Sequence, residues 1–211
     1  MATITIEEKI RRLAATYSAQ LEEKIAQRVE EMENDDKSHF LVYRVLGITD
    51  KEGRLIDVYQ NKGRFLYRYA GAFLEEAAKL CFQDKYTAAD AIKIPNTLGR
   101  WPNTFEIDCL IDQNAIEIKW RDATTDGDHI TKEHTRIKAI AEAGYTPIRV
   151  MFYYPNRAQA VRIQQTLETL YAGVGGQYYY GDEAWDYVKQ QTGIDLKAIL
   201  EKLAEENKHS L

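Results

Sequence analysis

Apolar positions recur at helical spacing along the first part of the chain: Ile6, Ile10, Leu13, Tyr17, Leu21, Ile25, Val29 and Met32. The mean step is about 3.7 residues, above the roughly 3.5 of a left-handed coiled coil. The stripe therefore predicts one long helix over 5–33, lying along the body of a domain or against a twin over a short stretch. Thr5 with Glu8 makes a capping-box start, and Asn34-Asp35-Asp36 breaks the pattern. Residues 39–46 are apolar and fit helix or strand equally. Residues 50–53 read as a turn and residues 60–63 as a polar, basic loop. A second helix is predicted from about residue 64 to 82, its buried face carrying Ala70, Phe73, Leu74, Ala77, Ala78 and Cys81. Pro95, Gly99 and Pro102 break up 84–104, leaving room for a short strand at 91–94.

The middle of the chain alternates clearly. Residues 104–111 read as a strand, Asp112-Gln113-Asn114 carries turn chemistry, and 115–120 alternates again, which predicts a β-hairpin. Asp126-Gly127-Asp128 precedes helical spacing over 129–143, closed by Gly144, and 147–154 is an apolar run of the kind a buried strand shows. Strand, helix and strand over 115–154 form a βαβ unit, so those two strands are expected to pair in parallel. A helix then runs to about residue 172, and the tail holds Tyr178, Tyr179 and Tyr180 with two short helices at 183–191 and 195–207. The fold class expected is α/β: a mixed central β-sheet flanked by helices, with a long N-terminal helix and a helical C-terminal tail. We read 1–211 as one domain, with an N-terminal helical region (1–60), a core (61–172) and a C-terminal helical extension (173–211).

Composition narrows the class. The chain has 211 residues, 45% hydrophobic and 29% charged, enough to bury a core without disulfides or a structural metal. Cys81 and Cys109 both sit inside apolar patterns, which predicts reduced core thiols and a cytoplasmic protein. No apolar run is long enough to span a bilayer, so no membrane partner is expected, and residues 1–8 lack the basic start and apolar stretch of a secretory signal. The net charge of −5 is uneven: residues 1–35 carry five basic and eight acidic side chains, residues 166–211 four and eight, and the middle is slightly basic. An acidic total disfavours nonspecific coating of nucleic acid but leaves room for a local basic cleft. Carboxylates that hold a cation also lose their repulsion towards phosphate.

The candidate chemistry lies in the hairpin, Phe105-Glu106-Ile107-Asp108 followed after the turn by Ile116-Glu117-Ile118-Lys119. Glu117 and Lys119 are two apart on a strand, so they project from one face, and the turn folds Asp108 back to nearly the same level. Charged side chains inside an Ile-rich strand are costly against a core unless something offsets the cost, and a bound divalent cation would. Asp108, Glu117 and the Ile118 carbonyl offer hard oxygen ligands suited to Mg²⁺. Such an ion would polarise a phosphoryl oxygen and acidify an attacking water, while Lys119 orients that water or neutralises charge on the pentacovalent state. An ordinary half-exposed hairpin also alternates this way. The company of this one sets it apart: an upstream helix bearing Glu75 and Glu76, an acid on the partner strand, and a helix and strand to follow.

That order of elements, with Ile107-Asp108 and Ile116-Glu117-Ile118-Lys119 in it, resembles the PD-(D/E)xK nuclease superfamily, and the whole chain resembles the ApaLI-like type II restriction endonucleases. The resemblance places Asp108 at the motif Asp, Glu117 at the second acid and Lys119 at the lysine, with Ile107 where the motif name has Pro. The superfamily often adds a glutamate from the upstream helix; Glu75 and Glu76 both lie off the buried stripe, and Glu75 is preferred. The resemblance implies Mg²⁺-dependent hydrolysis of double-stranded DNA with 5′-phosphate and 3′-hydroxyl ends, a homodimer, and the hexamer GTGCAC with staggered cutting as part of a restriction-modification system.

Several basic groups are candidates for holding DNA. Arg121 follows the catalytic strand directly. His129, Lys132 and Arg136 share one helical face by their spacing, which fits phosphate contact and an ordinary solvated face equally. His134 falls on the apolar stripe with Ile130 and Ile137, as a half-buried structural residue would. The histidine spacing splits His129 and His134 across two faces, which rejects a zinc site with Asp126 and Asp128. Gln60, Asn61, Lys62 and Arg64 near the Glu75 helix, and Asn96, Arg100 and Asn103 before the catalytic strand, are candidates for reading bases. The three tyrosines at 178–180 fit core or interface packing first and base stacking second. Two other readings compete with a restriction enzyme: a structure-selective repair or recombination nuclease of the same fold, and a non-catalytic DNA-binding or helical scaffold protein.

Overall fold

Thr5 opens the first helix as the sequence predicts: its hydroxyl accepts the Glu8 N–H at 3.2 Å. The architecture is that of a computed structural model, which describes residues 4–99, 101–121 and 128–208. Helix α1 spans Ile6–Asn34. Of its predicted stripe only Ile10 is buried, and the other seven positions are half-buried. The ambiguous segment 39–46 resolves as a short helix, α2 (Phe40–Val45). Helix α3 spans Asp50–Lys85 without a break. The expected turn at 50–53 and the polar loop at 60–63 are therefore both helical, and Lys62 and Arg64 stand on a helix.

A second capping box explains the difference. The Glu52 N–H donates to the Thr49 hydroxyl at 3.2 Å, and the Glu52 carboxylate accepts the Thr49 N–H at 3.0 Å. Thr49-Asp50-Lys51-Glu52 is thus a helix start rather than a turn. Gly53 is not there for a turn either: a Cβ would lie 2.5 Å from the Tyr43 ring, so its absence lets α2 pack close. Gly63 has open space beside it and costs the helix only about 1 kcal/mol relative to alanine.

The chain divides into two compact units, Arg11–Phe73, and Met1–Ile10 with Leu74–Leu211. In the first, Tyr17 meets Tyr69 and Phe73 edge-on, with ring centroids 6.2 and 5.9 Å apart. Asp57 accepts the Tyr43 hydroxyl at 2.8 Å, and Arg54 pairs with Glu33. These charged groups, with Arg28 and His39, line a cleft of about 200 Å³. Leu41, Val42, Val45 and Leu46 stand exposed on the same unit.

The second unit carries a five-stranded sheet in the order β1-β2-β3-β4-β5. Its strands are β1 (Asp90–Pro95), β2 (Thr104–Ile111), β3 (Asn114–Arg121), β4 (Thr146–Tyr153) and β5 (Gln177–Tyr180). β1, β2 and β3 pair antiparallel; β3, β4 and β5 pair in parallel, as the βαβ pattern requires. The crossovers are α4 (Asp128–Glu142) and α5 (Ala158–Gly173), followed by α6 (Asp182–Thr192) and α7 (Leu196–Lys208). The tyrosine run is thus a fifth strand of the sheet, too short for its alternation to signal one. β4 is buried from Pro147 through Phe152, the signature of a strand covered on both faces. Ile94, Phe105, Ile107, Ala115, Ala139 and Ile140 form a core cluster of β1, β2, β3 and α4. Burial pushes the Cys81 and Cys109 thiols up to about 12, so neither ionises near neutral pH. Among the described residues no helix is long and apolar enough to cross a membrane.

Candidate active site

The site is built where β2 and β3 part. Their ladder runs Ile111↔Asn114, Leu110↔Ala115 and Cys109↔Ile116. Against β1, three residue steps of β2 (Leu110 to Ile107) match two of β1 (Asp90 to Ile92), so β2 carries an extra residue there. Such a bulge re-aims side chains and ends regular pairing. Asp108 lies in it, and its carboxylate accepts the Ile118 N–H at 2.8 Å.

Asp108, Glu117 and Lys119 converge at this point. The Lys119 ammonium lies 2.5 Å from Glu117 Oε1 and 3.8 Å from Asp108 Oδ2. Glu117 is only 3% exposed, whereas the Lys119 side chain is 33% exposed. Arg136, from α4, pairs with the other oxygen, Glu117 Oε2, and donates to the Glu106 carbonyl at 2.8 Å. Every candidate ligand is thus an oxygen, as a hard divalent cation requires, and Asp108, Glu117 and the Ile118 carbonyl are two anions and a neutral donor. Among the described residues no three His, Cys, Asp or Glu side chains gather into a metal cluster, so any such ion would draw its remaining ligands from water and substrate.

Glu75, on α3, is half-buried and feels the same charges. Its carboxyl is held above the ordinary glutamate range, first by burial and then by the Asp108 charge, against the pull of Lys119 and Lys79. A carboxyl that binds its proton more tightly folded than unfolded makes the fold less stable as pH rises through the window between its two values. Glu75→Gln is therefore expected to raise Tm at about pH 7 and to lose that gain as the pH falls towards about 4. Thermal scans at both pH values check it, and no gain at neutral pH would refute it. Glu76 is exposed.

The basic candidates divide. Arg121 is exposed and its guanidinium lies 5.8 Å from the Trp120 ring centroid; Lys132 is exposed on α4. Arg136, expected on the same outer face, points inward instead, with its side chain 15% exposed. Burial pulls its guanidinium below the ordinary range, though arginine keeps its charge. Arg100, Asp126 and the His129 side chain lie outside the described residues. Lys62 and Arg64 are exposed and belong to the unit Arg11–Phe73. His134 is half-buried.

The sequence reading missed a buried polar group beneath the site. Glu133 on α4 is 5% exposed and Arg149 on β4 fully buried. Glu133 Oε1 accepts Arg149 at 3.1 Å and the Tyr171 hydroxyl of α5 at 2.6 Å. Burial, then the Glu133 charge, pushes the Tyr171 hydroxyl well above its ordinary range. Glu117 and Arg149 face each other in the parallel register, as do Arg149 and Tyr178, so polar side chains continue across β3, β4 and β5 at one level. A signal was present: Glu133 falls on the Ile130–Ile137 stripe, and Arg149 interrupts an apolar run.

No curated protein and no solved structure matches the chain significantly. A family model does, that of the ApaLI-like restriction endonucleases, over residues 1–205. A match of that extent covers both helical ends as well as the sheet with its parted β2 and β3, and the chain accordingly belongs to the ApaLI-like restriction endonuclease family, type II site-specific deoxyribonucleases that act on DNA.

Proposed function

We propose that this restriction endonuclease cuts double-stranded DNA with Mg²⁺ held by Asp108, Glu117 and the Ile118 carbonyl. The reading is carried by one observation: two carboxylates of separate strands lie within reach of a single lysine ammonium where the β2–β3 ladder ends. The residues fit the ion, since Mg²⁺ is bound through one or two carboxylates and keeps several waters. When bound, it supplies Lewis acidity at the scissile phosphate and acidifies the attacking water.

The chain's own groups do the rest. Asp108 fixes the Ile118 peptide through its N–H and so sets where the neighbouring carbonyl stands. Lys119 is the mobile charge of the site, half-buried and shared by two acids, and it orients the water or balances charge on the five-coordinate phosphorus. Water attacks phosphorus and the bond to the 3′ oxygen breaks, leaving a 5′-phosphate and a 3′-hydroxyl. Glu75 joins the acidic set from α3. Arg121, Lys132, His129, Arg100, Lys62 and Arg64 contact the DNA.

The target we propose is GTGCAC, cut by a homodimer whose twofold axis matches the palindrome. The exposed Leu41, Val42, Val45 and Leu46 favour a second copy, since apolar patches of this kind mark interaction surfaces. Digestion of a fully sequenced DNA with Mg²⁺, followed by sequencing of the ends, tests the whole reading. Discrete fragments whose ends map to staggered cuts within GTGCAC, without a build-up of nicked circles, are expected. Discrete ends at another sequence would replace the target and keep the enzyme. Smearing, or cutting confined to branched DNA, would favour a structure-selective nuclease, and intact DNA would overturn the site.

A further inference from the structure

We propose that Arg136 is a positioning residue for Glu117: it pins one carboxylate oxygen, leaves the other for the cation, and is anchored by a buried ionic relay through Glu133 to Arg149 and Tyr171. The proposal rests on the nuclease reading of the Asp108–Glu117–Lys119 site and deepens it, by naming the group that decides how Glu117 is presented.

Both oxygens of Glu117 carry a cation, but the two cations are not equivalent. Lys119 on Oε1 ends a flexible four-carbon stem, is one-third exposed, and has a second acid to turn to in Asp108. A metal ion arriving at Oε1 has only to displace that mobile ammonium. Arg136 on Oε2 is held on three sides. Its Nη2 also donates to the Glu106 carbonyl at 2.8 Å, and its Nη1 lies 3.7 Å from Glu133. One planar guanidinium therefore bridges the acid of β3 and the backbone of β2 across the gap where their ladder has opened, a fork that lysine cannot reproduce.

The anchor is as firm as the clamp. Glu133 receives Arg149 and the Tyr171 hydroxyl on Oε1 while its Oε2 faces Arg136. α4, β4 and α5 each supply one member of the set. A residue gripping DNA phosphates would have to reach solvent, and Arg136 is instead the more enclosed of the two cations on Glu117. Lys132, one turn earlier on α4, is the exposed one.

The charges give the proposal a distinctive signature. Asp108 and Glu117 face Lys119 and Arg136, so two anions are offset by two cations. Removing the Arg136 charge strengthens the pull of Glu117 on a divalent ion but leaves its carboxylate free to turn. Binding and turnover should then move in opposite directions.

Wild type, Arg136→Met and Arg136→Lys are titrated with Ca²⁺ by calorimetry without DNA, and each is assayed for single-turnover cleavage at saturating Mg²⁺, with melting curves as a check on folding. Arg136→Met is expected to bind Ca²⁺ about tenfold more tightly and to cut about 100-fold more slowly. Arg136→Lys keeps the charge and loses the fork, so it is expected to bind Ca²⁺ as wild type does and to cut at an intermediate rate. Wild-type behaviour of Arg136→Met in both assays overturns the proposal, and so does a loss of both from a protein that melts normally. If Arg136→Met does not fold, Arg136→Lys decides: slowed cleavage with unchanged Ca²⁺ binding supports the clamp, and wild-type cleavage overturns it. Failure of the nuclease reading would appear separately, as a wild type that cuts nothing, while the Ca²⁺ titration would still report the grip of Arg136 on Glu117.

Discussion

Asp108→Asn and Lys119→Met are each expected to slow DNA cleavage by at least about 100- to 1,000-fold, the loss typical of removing one preorganised charge from a reacting centre. The asparagine variant is informative because it changes little else. Its amide oxygen can still accept the Ile118 N–H, so the parting of β2 and β3 is kept while the negative charge disappears. Lys119→Met removes the mobile ammonium and leaves Arg136 on the far oxygen of Glu117. Single-turnover cleavage in excess Mg²⁺ measures the effect, and gel-shift binding in Ca²⁺ shows that DNA is still held. Two variants that cut at the wild-type rate would remove Asp108 and Lys119 from the chemistry.

The largest effect on stability is expected from the acid under the site. Glu133→Ala leaves Arg149, a fully buried cation, without that carboxylate and takes the acceptor from the Tyr171 hydroxyl. Breaking a buried ion pair from one side costs about 3–5 kcal/mol, because the remaining charge cannot be rehydrated in place. Glu133→Gln keeps an acceptor for Tyr171 and should cost less. Urea unfolding followed by tryptophan fluorescence is the right measurement: Trp101, Trp120 and Trp185 all lie in the unit that carries the sheet, so the signal is not blurred by the helical unit. A Glu133→Ala midpoint equal to that of wild type would show that the relay contributes nothing to the fold.

Asp108, Glu117 and Lys119 stand out in the sequence because three charged groups lie inside two alternating strands joined by an evident turn. Glu133 and Arg149 were equally anomalous, a charge on an apolar helical stripe and a charge in a buried run. Neither element shows the partner that makes its charge tolerable, because that partner comes from another. Arg136 shows the same limit from the other side. Its spacing from Lys132 puts both near one helical face, but a step of four residues on a 3.6-residue helix leaves them about 40° apart, and the packing of α4 decides which is covered. The helix start at Thr49 is a local signal, a Thr-x-x-Glu pattern ending at Glu52 that the sequence itself displays.

What the sequence by itself determined is what depends on neighbours along the chain: the long first helix with its Thr5 cap, the β2–β3 hairpin, the parallel β3–β4 pair forced by an intervening helix, and the acids and lysine placed on strands of alternating pattern. Only the tertiary structure decided that Tyr178–Tyr180 closes the sheet as β5, that a bulge turns the Asp108 carboxylate onto the Ile118 N–H, and that Arg136 and Glu133 face the interior. The physical reason is common to all three. Backbone propensity and hydrophobic period are set within a few residues, whereas the partner of a buried charge or an unpaired N–H is chosen by which elements meet, and β2, β3, β4, α4 and α5 meet only once the sheet has formed.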